Sequence, residues 1–119
     1  MSHNFHNLQV YQRSLLVGVK IMAVIDEVKP YRLAEQIVSS SISIPSNIAE
    51  GSERGSEKEF IRFLGYSSGS AAELITQLTI IELSGKKINL DLPSLITELK
   101  EINAMLRALI NKHSALLDK

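Results

Sequence analysis

The sequence predicts an all-α fold, an antiparallel up-and-down four-helix bundle filling residues 1–119 as a single domain. Three observations carry this. Apolar residues recur at alternating steps of three and four in four segments, whereas alternation at period two is absent. The segments are separated by breaks at Lys29-Pro30-Tyr31, Gly51 to Gly55 and Gly85 to Pro93, which are rich in helix-ending residues. The connections are short, and short connections between amphipathic helices favour antiparallel neighbours.

In the first segment Leu8, Tyr11, Leu15, Gly18, Met22 and Ile25 form one stripe, with Asn7 as the expected N-cap. A second apolar line, Val10, Val17, Ile21, Val24 and Val28, lies well round from it. A bundle needs one apolar stripe per helix, so the second line is expected at an oligomer interface. A thicker bundle that embraces the helix is the alternative.

The second segment repeats Leu33, Ile37, Ser41, Ile44 and Ile48, and is expected to end at Gly51 in a left-handed turn. Pro45 inside it removes one backbone donor and crowds the Ser41 carbonyl, which predicts a kink relieved by Ser39, Ser40, Ser41 and Ser43.

The third segment keeps heptad spacing through Phe60, Leu64, Ser67, Ala71, Leu74, Leu78 and Ile81, after a capping box of Ser56 and Glu59. One helix from Ser56 to Ser84 is expected. Small residues at Ser39 to Ser43 and Gly65 to Ala72 predict a close approach of helices two and three. The fourth segment carries Leu95, Leu99, Ile102, Leu106, Leu109, His113 and Leu116, with Asp91 as cap and Pro93 in the first turn.

Composition excludes several functions. Thirteen basic and thirteen acidic side chains cancel, which argues against holding nucleic acid by net charge. The absence of cysteine removes disulfides, thiolate zinc sites and cysteine nucleophiles. No run is long and apolar enough to span a bilayer, and the N-terminus lacks the pattern of a secretory signal, so a cytoplasmic location is expected.

Di-iron chemistry needs Glu-x-x-His pairs on two helices, and the chain contains none. His3 and His6 are the residues a metal would use at the N-terminus, but no physiological metal, and no cofactor, is expected. Gly51 and Gly55 do not belong to a phosphate-cradling loop.

Gln36, Asn47, Glu50, Ser70, Glu73 and Gln77 read as a structural polar network that sets helix register. The catalytic alternative makes Glu50 or Glu73 a general base in an apolar pocket. Arg54, Lys58 and Arg62, spaced by four, form the one basic stripe and are the candidate contacts to nucleic acid or another partner. Interleaved Glu53, Glu57 and Glu59 support a solvated face with salt bridges instead.

The run Ser43-Ile44-Pro45-Ser46-Asn47-Ile48-Ala49-Glu50-Gly51 is joined by Leu33-x-x-Gln36-Ile37, by Arg54-x-Ser56-x-Lys58-Glu59-Phe60-x-Arg62-Phe63-Leu64 and by Gly69-Ser70-x-x-Glu73-Leu74-x-x-Gln77-Leu78. Together these resemble the bacterial 23S rRNA intervening-sequence protein family, also called four-helix bundle proteins, over nearly the whole chain. The resemblance implies a non-enzymatic bundle forming homo-oligomeric rings, often pentamers. It also implies kinship with accessory proteins of diversity-generating retroelements that bind nucleic acid and a reverse transcriptase. The expected partners are therefore further copies of the chain and RNA or an RNA-associated protein; an adaptor that binds only protein is the alternative. The chain departs from the family pattern at Val38 and Ser39, where two arginines are common.

Overall fold

A computed structural model describes residues 4–118 and shows an elongated four-helix bundle, 50 × 22 × 20 Å. Its helices are α1 (Gln9–Met22), α2 (Tyr31–Glu53), α3 (Glu57–Ser84) and α4 (Leu92–Leu117). Short 3-10 turns at Phe5–Asn7 and Ile25–Glu27 precede and follow α1. Both α2 and α4 lie between α1 and α3, which occupy diagonal corners. His3 lies outside the described residues.

The best-patterned helix is also the best buried. All seven heptad positions of α3, from Phe60 to Ile81, are buried, including Ser67. Its start is fixed by Ser56, whose hydroxyl accepts from the Glu59 N–H at 3.1 Å, and its end by Gly85 at φ +75°. Glu59 directs its carboxylate to Arg62. Asp91 caps α4 by accepting from the Ser94 N–H at 3.1 Å. Leu95, Leu99, Ile102 and Leu106 face the core, but Leu116 is exposed because the stripe outruns its neighbours at the C-terminus.

Four expectations are corrected. The N-cap of α1 is Leu8, without a side-chain bond, because Asn7 closes the preceding 3-10 turn. Gly51 is not the helix terminator: α2 runs on to Glu53, and Gly55 takes the left-handed conformation at φ +83°. Gly51 serves close packing instead, since a β-carbon there would stand 2.6 Å from Phe63 Cβ. Conversely, a β-carbon at Gly65 or Gly69 would meet nothing within 4 Å, so the close α2–α3 contact expected in this stretch is made by Ser67, Ser70 and Ala71 and not by these two glycines.

The fourth correction concerns α1. Val10, Val17 and Ile21, with Val24 and Val28 in the following corner, are buried in the core of the single chain and are not available to a second copy. They are joined by fully buried Ser14, whose hydroxyl donates to the Tyr11 carbonyl at 2.8 Å. Restoring Ser14 completes an unbroken line at steps of four and three; a hydroxyl satisfied by its own backbone is compatible with a core position. Of the other stripe, Leu8, Tyr11 and Ile25 are half-buried against the core, whereas Leu15 and Met22 are turned outward, 42% and 52% exposed.

Helix α2 continues through Pro45. Nearby backbone acceptors gain side-chain donors: Asn47 Nδ2 reaches the Ser43 carbonyl at 2.9 Å, and Ser67 Oγ of α3 reaches the Ile44 carbonyl at 2.8 Å. Of the serines expected to serve this stretch, Ser41 bonds the Val38 carbonyl at 3.0 Å.

Candidate functional site

The α2–α3 seam gathers part of the expected polar network. Asn47 Nδ2 donates to Ser43 Oγ at 2.8 Å, and the Ser70 hydroxyl bonds Ser43 Oγ at 2.8 Å. Ser43 thus couples the two helices beside Pro45, in a register where residue numbers sum to about 113. Gln77 Oε1 is buried without a hydrogen-bond partner among the described residues.

The network stops there. Gln36, Glu50 and Glu73 are exposed, and Glu50 pairs with Arg54 at 3.0 Å. These three lie off the buried stripes of their helices, Ile37, Ser41, Ile44 and Ile48 on α2 and Ser67, Ala71, Leu74 and Leu78 on α3, and so face solvent. Neither Glu50 nor Glu73 therefore occupies the apolar pocket that the general-base alternative requires.

The basic stripe is organised by aromatic rings that the sequence reading did not assign. The guanidinium carbons of Arg54 and Arg62 lie 4.9 and 5.1 Å from the centre of the Phe63 ring. Arg62 also lies 5.7 Å from the Tyr66 ring centre and bonds its hydroxyl at 3.4 Å. Phe63 and Tyr66 meet edge to face at 5.3 Å. The i,i+4 spacing of Arg62 and Tyr66 was a readable signal; the approach of Arg54 to Phe63 depends on the turn between α2 and α3.

Glu59 holds Arg62 through two bonds of 2.7 and 3.1 Å and raises its pKa above the ordinary guanidinium value. Lys58 is exposed. The cluster is therefore aromatic and cationic in part, and substantially neutralised by Glu50 and Glu59.

Two further polar contacts join residues distant in sequence. Glu57, at the start of α3, meets Nδ1 of buried His113, whose ring stands edge-on to Phe60 at 4.9 Å. Arg13 Nε donates to Glu98 at 2.8 Å, its Nη2 bonds both Glu98 and Glu101, and these bonds raise the Arg13 pKa. The Arg13 hydrogen bond in turn holds the Glu98 carboxyl below its ordinary value. Among the described residues there is no group of three metal-ligating side chains, and no helix is long and apolar enough to cross a membrane.

One face lacks a neighbour. Leu15, Leu16, Val19 and Met22 of α1 are exposed by 42 to 64%, and Leu15, Val19 and Met22 border an open groove of about 460 Å³ that runs along α1 to Ile42 and Pro45 of α2.

The fold and this site define a four-helix bundle with a hydrogen-bonded α2–α3 seam and an uncovered apolar face. The chain belongs to the 23S rRNA-intervening sequence protein family, whose model matches residues 6–108. It is also similar to the crystal structure of a protein of unknown function from the S23 ribosomal protein family of Bacteroides thetaiotaomicron VPI-5482. The two share 26% identity and a TM-score of 0.78, over 85% of this chain and 97% of the other. No curated protein matches the sequence.

Proposed function

We propose that this protein is a non-enzymatic scaffold that associates with itself and with RNA. The observation that carries self-association is the uncovered apolar face of α1, where four aliphatic side chains are left in water by a fold that otherwise buries its stripes. The non-enzymatic reading is supported by the exposure of Glu50 and Glu73, the two carboxylates considered for catalysis. RNA association is supported by the family and by the Arg54, Lys58 and Arg62 cluster with its adjoining rings. The cytoplasm is the corresponding location.

Light scattering coupled to gel filtration tests self-association, for which a multiple of the chain mass is expected and a monomer at micromolar concentration overturns it. Fluorescence anisotropy with structured RNA tests the second part. If these three cations carry the phosphate contacts, the logarithm of affinity falls against the logarithm of salt with a slope of about −2 to −3 per engaged subunit. Replacing all three by Ala flattens that slope.

A second reading, an adaptor that binds only protein, is favoured by one observation: Arg54 and Arg62 are already paired with Glu50 and Glu59. Absence of RNA binding even at low salt selects it.

A further inference from the structure

We infer that Arg62 and Tyr66 form a stacking platform for an unpaired RNA base, with Lys58 taking the adjoining phosphate. This rests on the RNA reading above and names the form of RNA recognised and the contact each side chain makes.

The first observation is how the Arg62 guanidinium is held. Glu59 occupies one edge, accepting from Nε at 2.7 Å and from Nη2 at 3.1 Å, and the Tyr66 hydroxyl accepts from Nη1 at 3.4 Å. The group lies over the Phe63 ring, 5.1 Å from its centre, yet the side chain keeps 51% of its surface in water. With an edge given to the carboxylate and one side to the ring, the surface left for a ligand is the outer flat face. A guanidinium face is a stacking surface, whereas forked phosphate recognition uses the edge that Glu59 has taken.

The second observation is Tyr66. Its ring meets Phe63 edge to face at 5.3 Å and is 49% exposed, although its hydroxyl is already bonded to Arg62. A ring whose polar tip is satisfied within its own helix and whose body stays half in water beside a cation offers π surface to a ligand. Both side chains are fixed by neighbours one turn away, so little ordering entropy is left to lose on binding.

Charge selects a base over a backbone. Arg54 and Arg62 are paired with Glu50 and Glu59, and the whole chain carries no net charge, so the cluster has little field with which to draw a phosphate backbone. Stacking needs no net charge. Lys58 is the cation left over: it is exposed, has no ion pair among the described residues, and stands four residues before Arg62, about 5–6 Å along the same face. That separation is on the scale of a single nucleotide. A base in a duplex is covered by its neighbours, so the platform takes single-stranded or looped RNA.

Fluorescence anisotropy of the full chain tests this with probes of equal length at one salt concentration: a single-stranded RNA, the same sequence as a duplex, and a strand with the same sugar-phosphate backbone but no bases. The single strand is expected to bind about tenfold or more tighter than either of the others, the reverse of what phosphate contacts alone give, since the duplex carries the higher charge density. Tyr66→Ala lowers single-strand affinity about 5- to 100-fold, and Tyr66→Phe, which keeps the ring, retains it. Arg62→Lys keeps the charge but not the flat face, and lowers affinity without changing the salt slope. Equal or tighter binding of the duplex or of the base-free strand, or full affinity in Arg62→Lys, overturns the stacking contact while leaving RNA association standing. No binding of any probe by the parent chain removes the RNA reading as well.

Discussion

Gly51 and Phe63 pack so closely that a β-carbon on the glycine would stand 2.6 Å from the Phe63 β-carbon and 3.4 Å from the Phe60 carbonyl oxygen. The neighbour is the base of a side chain, anchored to the backbone, and cannot swing aside. This contact locks the end of α2 against the first turns of α3 and holds Phe63 beneath Arg54 and Arg62.

Gly51→Ala is therefore expected to destabilise the bundle by about 1–3 kcal/mol, as overpacking of a filled site does. Gly69→Ala has the opposite sign, up to about 1 kcal/mol of added stability, because the site is open and the helix gains propensity. Denaturant melts of the two variants side by side check the pair.

Ser70→Leu is expected to lower stability by about 1–3 kcal/mol although it adds apolar surface. Ser70 is 8% exposed and bonds Ser43 at 2.8 Å, so leucine both overfills the α2–α3 seam and removes a partner of Ser43. An unchanged or raised thermal midpoint would sink this account.

Two neighbouring valines of α1 separate folding from assembly. Val17 is 1% exposed, so Val17→Glu buries an unpaired carboxylate and costs several kcal/mol, roughly enough to unfold the chain. Val19 is 64% exposed, so Val19→Glu is expected to leave the helical circular dichroism spectrum intact and, under the proposed self-association, to give a monomer. Spectra and light scattering on both variants read the two outcomes independently.

The Arg13–Glu98 pair makes stability depend on pH at the acid end. The folded Glu98 pKa lies below its unfolded value, so its contribution is present above about pH 4.3 and is lost as pH falls through the folded value. Both side chains keep about a quarter of their surface in water, 26% and 29%, which holds the contribution to about 0.5–1 kcal/mol. Glu98→Gln is expected to be less stable than the parent at pH 7, with the difference closing in strongly acid buffer. Urea melts at the two pH values measure it.

Within the candidate site, the legible part was local. The Ser56 cap, the break at Gly85 and the basic spacing of Arg54, Lys58 and Arg62 each depend on residues within one or two helical turns. The pairing of Ser43 with Ser70, 27 residues away, followed once α2 and α3 were antiparallel, and Asn47 joined it through its own helix. Gln36, Glu50 and Glu73 share the motif but not the seam, because membership depends on how far round each helix the contact extends. Glu57 with His113 and Arg13 with Glu98 left no signal, since their partners lie 56 and 85 residues apart.

The amino-acid sequence by itself determined four helices, the breaks between them and the buried stripe of α3, because turn chemistry and 3.6-residue periodicity are properties of the chain's own backbone. Only the tertiary structure decided which apolar line of α1 enters the core, where glycine is needed for contact, and which polar side chains meet. Periodicity says which residues share a face of a helix. It does not say which neighbour covers that face, and on α1, with two apolar faces of similar quality, the packing of α2 and α4 made the choice: the valine and Ser14 side went inward and the Leu15 to Met22 side was left in water.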